Sequence, residues 1–105
     1  MMTEEAAGVY DRVGPVLQVG TVTNAIIAAI KDLNQNVMVL DRGAYIRVLV
    51  PRCCVVTRSA IEKHLGRPFR FPGEMETVMS AFKGSLQLNQ NDAAWRFAER
   101  TRNSS

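Results

Sequence analysis

A chain of 105 residues with 13 basic side chains, 10 acidic ones and a formal charge of +3 predicts one ordinary globular domain. One histidine and two cysteines are too few for most histidine-based metal sites, for a four-cysteine zinc site or for an iron–sulfur cluster held by this chain alone. The charge is uneven: residues 1–41 carry two basic and five acidic groups (−3), and residues 42–105 carry eleven and five (+6), with arginine supplying ten of the thirteen cations.

Residues 1–12 are small, polar and aperiodic and predict a flexible tail, followed by a domain over 13–99 and a frayed end at 100–105. The first expected strand covers 13–19, and Pro15 near its start predicts an edge or strand-opening position. Thr21 reads as a helix cap. Behind it Val22, Ile26, Ala29, Ile30 and Leu33 recur at helical spacing, and Asn34-Gln35-Asn36 ends the helix.

Residues 37–41 and 44–50 predict a hairpin turning at Arg42-Gly43, with Tyr45, Arg47 and Leu49 on one face and Ile46, Val48 and Val50 on the other. Strand resumes at 53–56 after Pro51-Arg52. Cys53 and Cys54 then point to opposite faces and do not pair with each other. Thr57 caps a second helix through Leu65, with Val56 and Ile61 at the positions of a hydrophobic staple and Gly66 at the left-handed end. A short helix is expected over 73–79.

From residue 82 to 88, Phe82, Gly84, Leu86 and Leu88 alternate with polar residues, which predicts one half-buried strand. A turn at Gln90-Asn91-Asp92 leads to a last strand with Trp95 and Phe97. The order β-α-β-β-β-α-(α)-β-β predicts an α+β fold, with compact antiparallel sheets packed on two main helices.

No catalytic, cofactor-binding or metal-ligating residues emerge. His64 stands beside Glu62 and Lys63 on an expected helix face, Glu74 and Glu76 are two apart and do not face each other, and the glycines form no phosphate loop. No apolar run has membrane-spanning length, and residues 1–8 do not form a secretory signal, so the expectation is a cytoplasmic protein without a membrane partner. No nucleic-acid motif is present either, and no nucleic acid is expected as partner. The residues by themselves describe a non-enzymatic domain that binds something.

Four segments in order carry a resemblance: Val13-Gly14-Pro15-Val16, Asp41-Arg42-Gly43-Ala44-Tyr45-Ile46-Arg47, Leu65-Gly66-Arg67-Pro68-Phe69 and Ser80-Ala81-Phe82-Lys83-Gly84. Together they resemble the effector (regulatory, or coupling) proteins of soluble multicomponent di-iron monooxygenases, nearest to the toluene and phenol hydroxylase and alkene monooxygenase members. The resemblance implies a cofactor-free protein that binds the di-iron hydroxylase component and tunes substrate and dioxygen access and coupling, with a ferredoxin or reductase component competing for an overlapping surface; the small size and lack of an obvious apolar patch predict a monomer. The resemblance places Met79, Ser80, Ala81 and Phe82 against the hydroxylase; an exposed Arg42 in the hairpin motif is suited to a partner carboxylate, and Asn34 and Asn36 in the loop after the first helix are expected at the rim. Tyr45 and Arg67-Pro68-Phe69 read as fold-defining. A small-molecule-sensing regulatory domain and a basic nucleic-acid-binding module are the alternatives.

Overall fold

The computed structural model describes residues 11–98. Among these described residues, seven strands and three helices follow in the order β1 (Arg12–Gln18), α1 (Thr21–Leu33), β2 (Met38–Asp41), β3 (Tyr45–Pro51), β4 (Cys53–Thr57), α2 (Arg58–Leu65), α3 (Gly73–Val78), β5 (Met79–Lys83), β6 (Ser85–Leu88) and β7 (Asp92–Arg96). The fold is α+β, as expected. Every strand pairing is antiparallel, in one sheet ordered β2-β3-β1-β5 and another ordered β4-β7-β6.

The core lies between these layers. It takes Val13 and Leu17 from β1, Ile46, Val48 and Val50 from β3, Cys54 and Val56 from β4, Ala93 and Trp95 from β7, and Ile26 and Ile30 from α1. Burying each large aliphatic or aromatic side chain contributes about 1.5–3 kcal/mol. Alternation in β3 runs as the sequence predicts, with Ile46, Val48 and Val50 buried and Tyr45 and Arg47 exposed. In β4 the buried cysteine is Cys54, whose thiol is pushed up to about 12 by burial, with the neighbouring Cys53 adding to the shift.

Four sequence expectations change. Pro15 does not lie on an edge: β1 is flanked by β3 and β5. The β1–β3 pairs run through Arg12 and Val13 and resume at Val16, and this gap accommodates a residue with no backbone donor. Thr21 is inside α1. The cap position belongs to Gly20, and the fixing contact comes from Thr23, whose buried hydroxyl donates to the Gln18 carbonyl. Leu33 is exposed, because α1 buries a wider arc that includes Thr23, Ala25 and Ile27. Finally, the expected strand over 82–88 is two strands in different sheets. Gly84, at φ 106°, turns the chain between them, so the last part of the fold has three strands and not two.

The expected tail and frayed end fall outside the described residues except for Asp11 and Arg12, which already belong to the fold. The Asp11 carbonyl accepts from the Arg52 amide at 2.8 Å, and the Asp11 carboxylate meets the Arg52 guanidinium at 3.3 Å. Arg52 also lies 5.5 Å from the Phe97 ring centroid, so one left-handed residue joins the start of β1 to the end of β7.

Surface charges tie the helix ends to one another. Asp32 Oδ2 lies 2.6 Å from His64 Nε2, joining α1 to α2, and Glu74 meets Arg67 at 3.2 Å. The bond from His64 holds the Asp32 carboxyl below its ordinary 3.8, and the bond from Arg67 holds Glu74 below 4.5. Lowered carboxyl values stabilise the fold above the ordinary values, and the contribution vanishes as pH falls through the lowered ones. A thermal melting series should therefore show wild type losing Tm below about pH 4 more steeply than the Asp32→Asn, Glu74→Gln double variant. Parallel curves would remove these pairs from the acid limb.

Candidate functional site

The segment expected to meet a partner forms the edge of the four-stranded sheet. Among the described residues β5 pairs only with β1, and its pairing steps from Val16↔Ala81 to Leu17↔Met79. Ser80 is therefore an extra residue, a bulge on an edge strand. A bulge re-aims the side chains around it and also discourages uncontrolled edge-to-edge pairing. Its consequence is that Met79, opposite the buried Leu17, packs against the core, while Ala81, opposite Val16, lies on the outward face. The Ser80 hydroxyl is 3.5 Å from the Val16 carbonyl.

Phe82 shares a register position with the buried Pro15, yet it is 45% exposed and is not packed against the core cluster. In one continuous strand over 82–88, alternation with Leu86 and Leu88 would set Phe82 on the buried face. That alternation is broken at Gly84, where a Cβ would stand 2.8 Å from Val13 Cγ1 and 2.9 Å from the Arg96 carbonyl. Ser80, Ala81 and Phe82 together form an exposed edge with one large apolar side chain.

The other expected contacts are distributed. Arg42 occupies the β2–β3 turn, shaped by the Gly43 amide donating to Asp41 Oδ1 at 2.8 Å and by Gly43 at φ 90°. Its side chain is exposed, and it stands on the β2–β3 side of the sheet, away from the β5 edge. Asn36 is exposed in a left-handed conformation, and its carbonyl accepts from Arg12 at 3.3 Å.

Asn34 is different. Its amide donates to the Ile30 carbonyl at 2.7 Å and to the Val55 carbonyl at 2.8 Å, and its Oδ1 accepts from the Val55 amide at 3.0 Å. The side chain closes α1 and clips it to β4, which leaves its amide hydrogens engaged within the chain. An Asn34→Ala variant should lose about 2 kcal/mol in a denaturant titration, because two backbone groups of Val55 lose their partner. An unchanged midpoint would show that water replaces the amide there.

Tyr45, read from sequence as fold-defining, is 42% exposed beside Arg47. The usable signal was the alternation of β3, which sets Tyr45 opposite in direction to Ile46. By contrast Arg67-Pro68-Phe69 does build the fold. Phe69 is buried, its amide donates to Glu62 Oε2 at 2.9 Å, and Arg67 donates to the Pro68 carbonyl at 2.9 Å.

Among the described residues no group of three or more His, Cys, Asp or Glu side chains is arranged to hold a metal ion, and no helix is long and apolar enough to cross a membrane. A cleft of about 310 Å³ lies between Thr57, Arg58, Ser59, Glu62, Asn91 and Asp92, and none of these residues belongs to β5. Its cation, Arg58, already faces Glu62 at 3.8 Å.

Comparison with known proteins places this architecture. A chain of a solved phenol hydroxylase–regulatory protein complex superposes with a TM-score of 0.73 at 18% identity, covering 83% of this chain and 98% of that one. The effector subunit of the alkene monooxygenase system of Xanthobacter autotrophicus (strain ATCC BAA-1158 / Py2) is 37% identical over 87 residues, 81% of this chain and 85% of that protein. Residues 11–96 match the model of the MmoB/DmpM family, so the strands, the bulged edge and the arginine-bearing hairpin all fall inside the match, and the chain belongs to that family.

Proposed function

We propose that this chain is the effector component of a multicomponent di-iron monooxygenase. It carries no catalytic group of its own. It binds the hydroxylase component as a monomer in the cytoplasm and, by favouring one state of that partner, tunes substrate and dioxygen access, coupling and turnover. A domain that holds no reacting group can alter chemistry elsewhere only through different affinities for two states of its partner. The observation that carries the reading is the family match over residues 11–96. The exposed, bulged β5 edge supplies a surface suited to it, with Ser80 and Ala81 small enough for close approach and Phe82 available as an anchor.

The test is reconstitution. Added to hydroxylase and electron-transfer components, the chain should raise product formed per NADH consumed, reach its optimum near one copy per active site, and consume no NADH by itself. Excess ferredoxin or reductase component should shift the optimum upward, because the surfaces overlap. Turnover, coupling and regiochemistry all unchanged at saturation would reject the reading.

A further inference from the structure

Among the described residues the helices pack on the core side of the four-stranded sheet, with Ile46, Val48 and Val50, and the outward face gathers apolar side chains around Gln18 and Arg47. Register shows which residues share it. Ala81 on β5 lies beside Val16 on β1, Val16 beside Arg47 on β3, and Arg47 beside Leu40 on β2. Along the same face Gln18 stands opposite Tyr45, and Leu49 opposite Met38. With strands about 4.8 Å apart, Arg47 is only about 10 Å from the Ala81 position. Tyr45 and Met38 are 42% and 36% exposed, and they are two of the five large hydrophobic side chains left open among the described residues. Apolar side chains gathered on one face in this way mark an interaction surface.

The charge on this face says what it meets. Arg52, Arg58, Arg67 and His64 are each paired with a carboxylate. Arg47, in the middle of the sheet, has no hydrogen-bond or ion-pair partner among the described residues, and neither has the side chain of Arg42 at the turn beyond it. An exposed arginine between tyrosine and aliphatic side chains, with no acid paired to it among the described residues, is suited to a carboxylate brought in by an apolar partner surface.

We propose that this face is the second half of the docking surface. It extends from Ala81 across β1 to Tyr45, Arg47 and Met38, and it receives an apolar protein surface of the hydroxylase that carries a carboxylate opposite Arg47. The proposal rests on the effector reading and specifies its partner chemistry. It adds three residues that a contact limited to the β5 edge would not use, and it accounts for Arg42, which the edge alone leaves on the far side of the sheet.

The test measures the affinity of the full chain for the hydroxylase, directly and through stimulated turnover, at two salt concentrations. Arg47→Glu and Tyr45→Ala should each weaken binding by about tenfold or more, with Tm within a few degrees of wild type because both side chains are exposed. Arg47→Gln should lose less and should flatten the salt dependence, as removal of one interfacial charge requires. Lys63→Glu on α2, outside this face, is the control and should bind as wild type does. If Arg47→Glu and Tyr45→Ala keep wild-type affinity while Ala81→Trp loses it, docking is confined to the β5 edge and the proposal is overturned with the effector reading intact. If the wild-type chain neither binds nor stimulates the hydroxylase, the effector reading fails and the proposal falls with it.

Discussion

Replacing Gly14 with alanine should abolish the native fold. Gly14 is held at φ 150°, and a Cβ there would stand 2.1 Å from the Val48 carbonyl oxygen and 3.0 Å from its carbon. The obstacle is backbone, in a strand whose neighbours Ile46, Val48 and Val50 are fixed by the core, so it cannot rotate aside. On the other side Gly14 pairs with Lys83 of β5, which prevents β1 from retreating without opening that ladder. The expected cost is about 4–5 kcal/mol or more, a large part of the stability of a domain this size. Circular dichroism and a denaturant titration would read it. A folded Gly14→Ala chain with a midpoint near wild type would show that β1 and β3 can separate locally, contrary to the geometry.

The second large effect is expected at Gly84, and it should reach function as well as stability. This residue turns the chain from β5 in one sheet to β6 in the other with φ 106°. An added Cβ meets Val13 Cγ1 at 2.8 Å and the Arg96 carbonyl at 2.9 Å. The valine side chain can give slightly, but the carbonyl belongs to β7 and cannot. Together with the unfavourable φ, Gly84→Ala should cost about 2–4 kcal/mol. Relief of the clash requires β5 to shift on β1, which displaces Ser80, Ala81 and Phe82. Stimulation of the hydroxylase should then fall more than the folded fraction does, under conditions where melting shows the variant folded. Loss of stimulation in strict proportion to unfolded protein would show that the edge keeps its position without the glycine.

Much of this fold was legible because it is encoded locally. Thr57 caps α2 through a 3.2 Å bond from the Ala60 amide, Gly66 ends it in the left-handed conformation, and Asp41-Arg42-Gly43 turns the hairpin. These contacts join residues a few positions apart, so residue type and spacing suffice to predict them. The errors share a cause in the opposite range. Pro15 looks like an edge residue until β5, more than sixty residues later, pairs on the free side of β1. Phe82 looks buried because periodicity continues through Gly84. No local signal says that the backbone changes sheets there, and the reason it must be glycine is the approach of Val13 and Arg96. Asn34 looks like a loop residue because its partner, Val55, is supplied by β4.

By itself, then, the sequence determined the fold class, the element types, the two faces of β3 and the poverty of metal-binding and nucleophilic side chains. Through four short motifs it also carried the family. Only the tertiary structure decided which of those motifs face outward. Exposure depends on strand order and register, quantities that join residues distant in the chain, and a two-residue period cannot distinguish an edge from a centre. That is why Asn34 turns out to hold α1 against β4, whereas Phe82 and Tyr45 stand open on the sheet that carries Arg47.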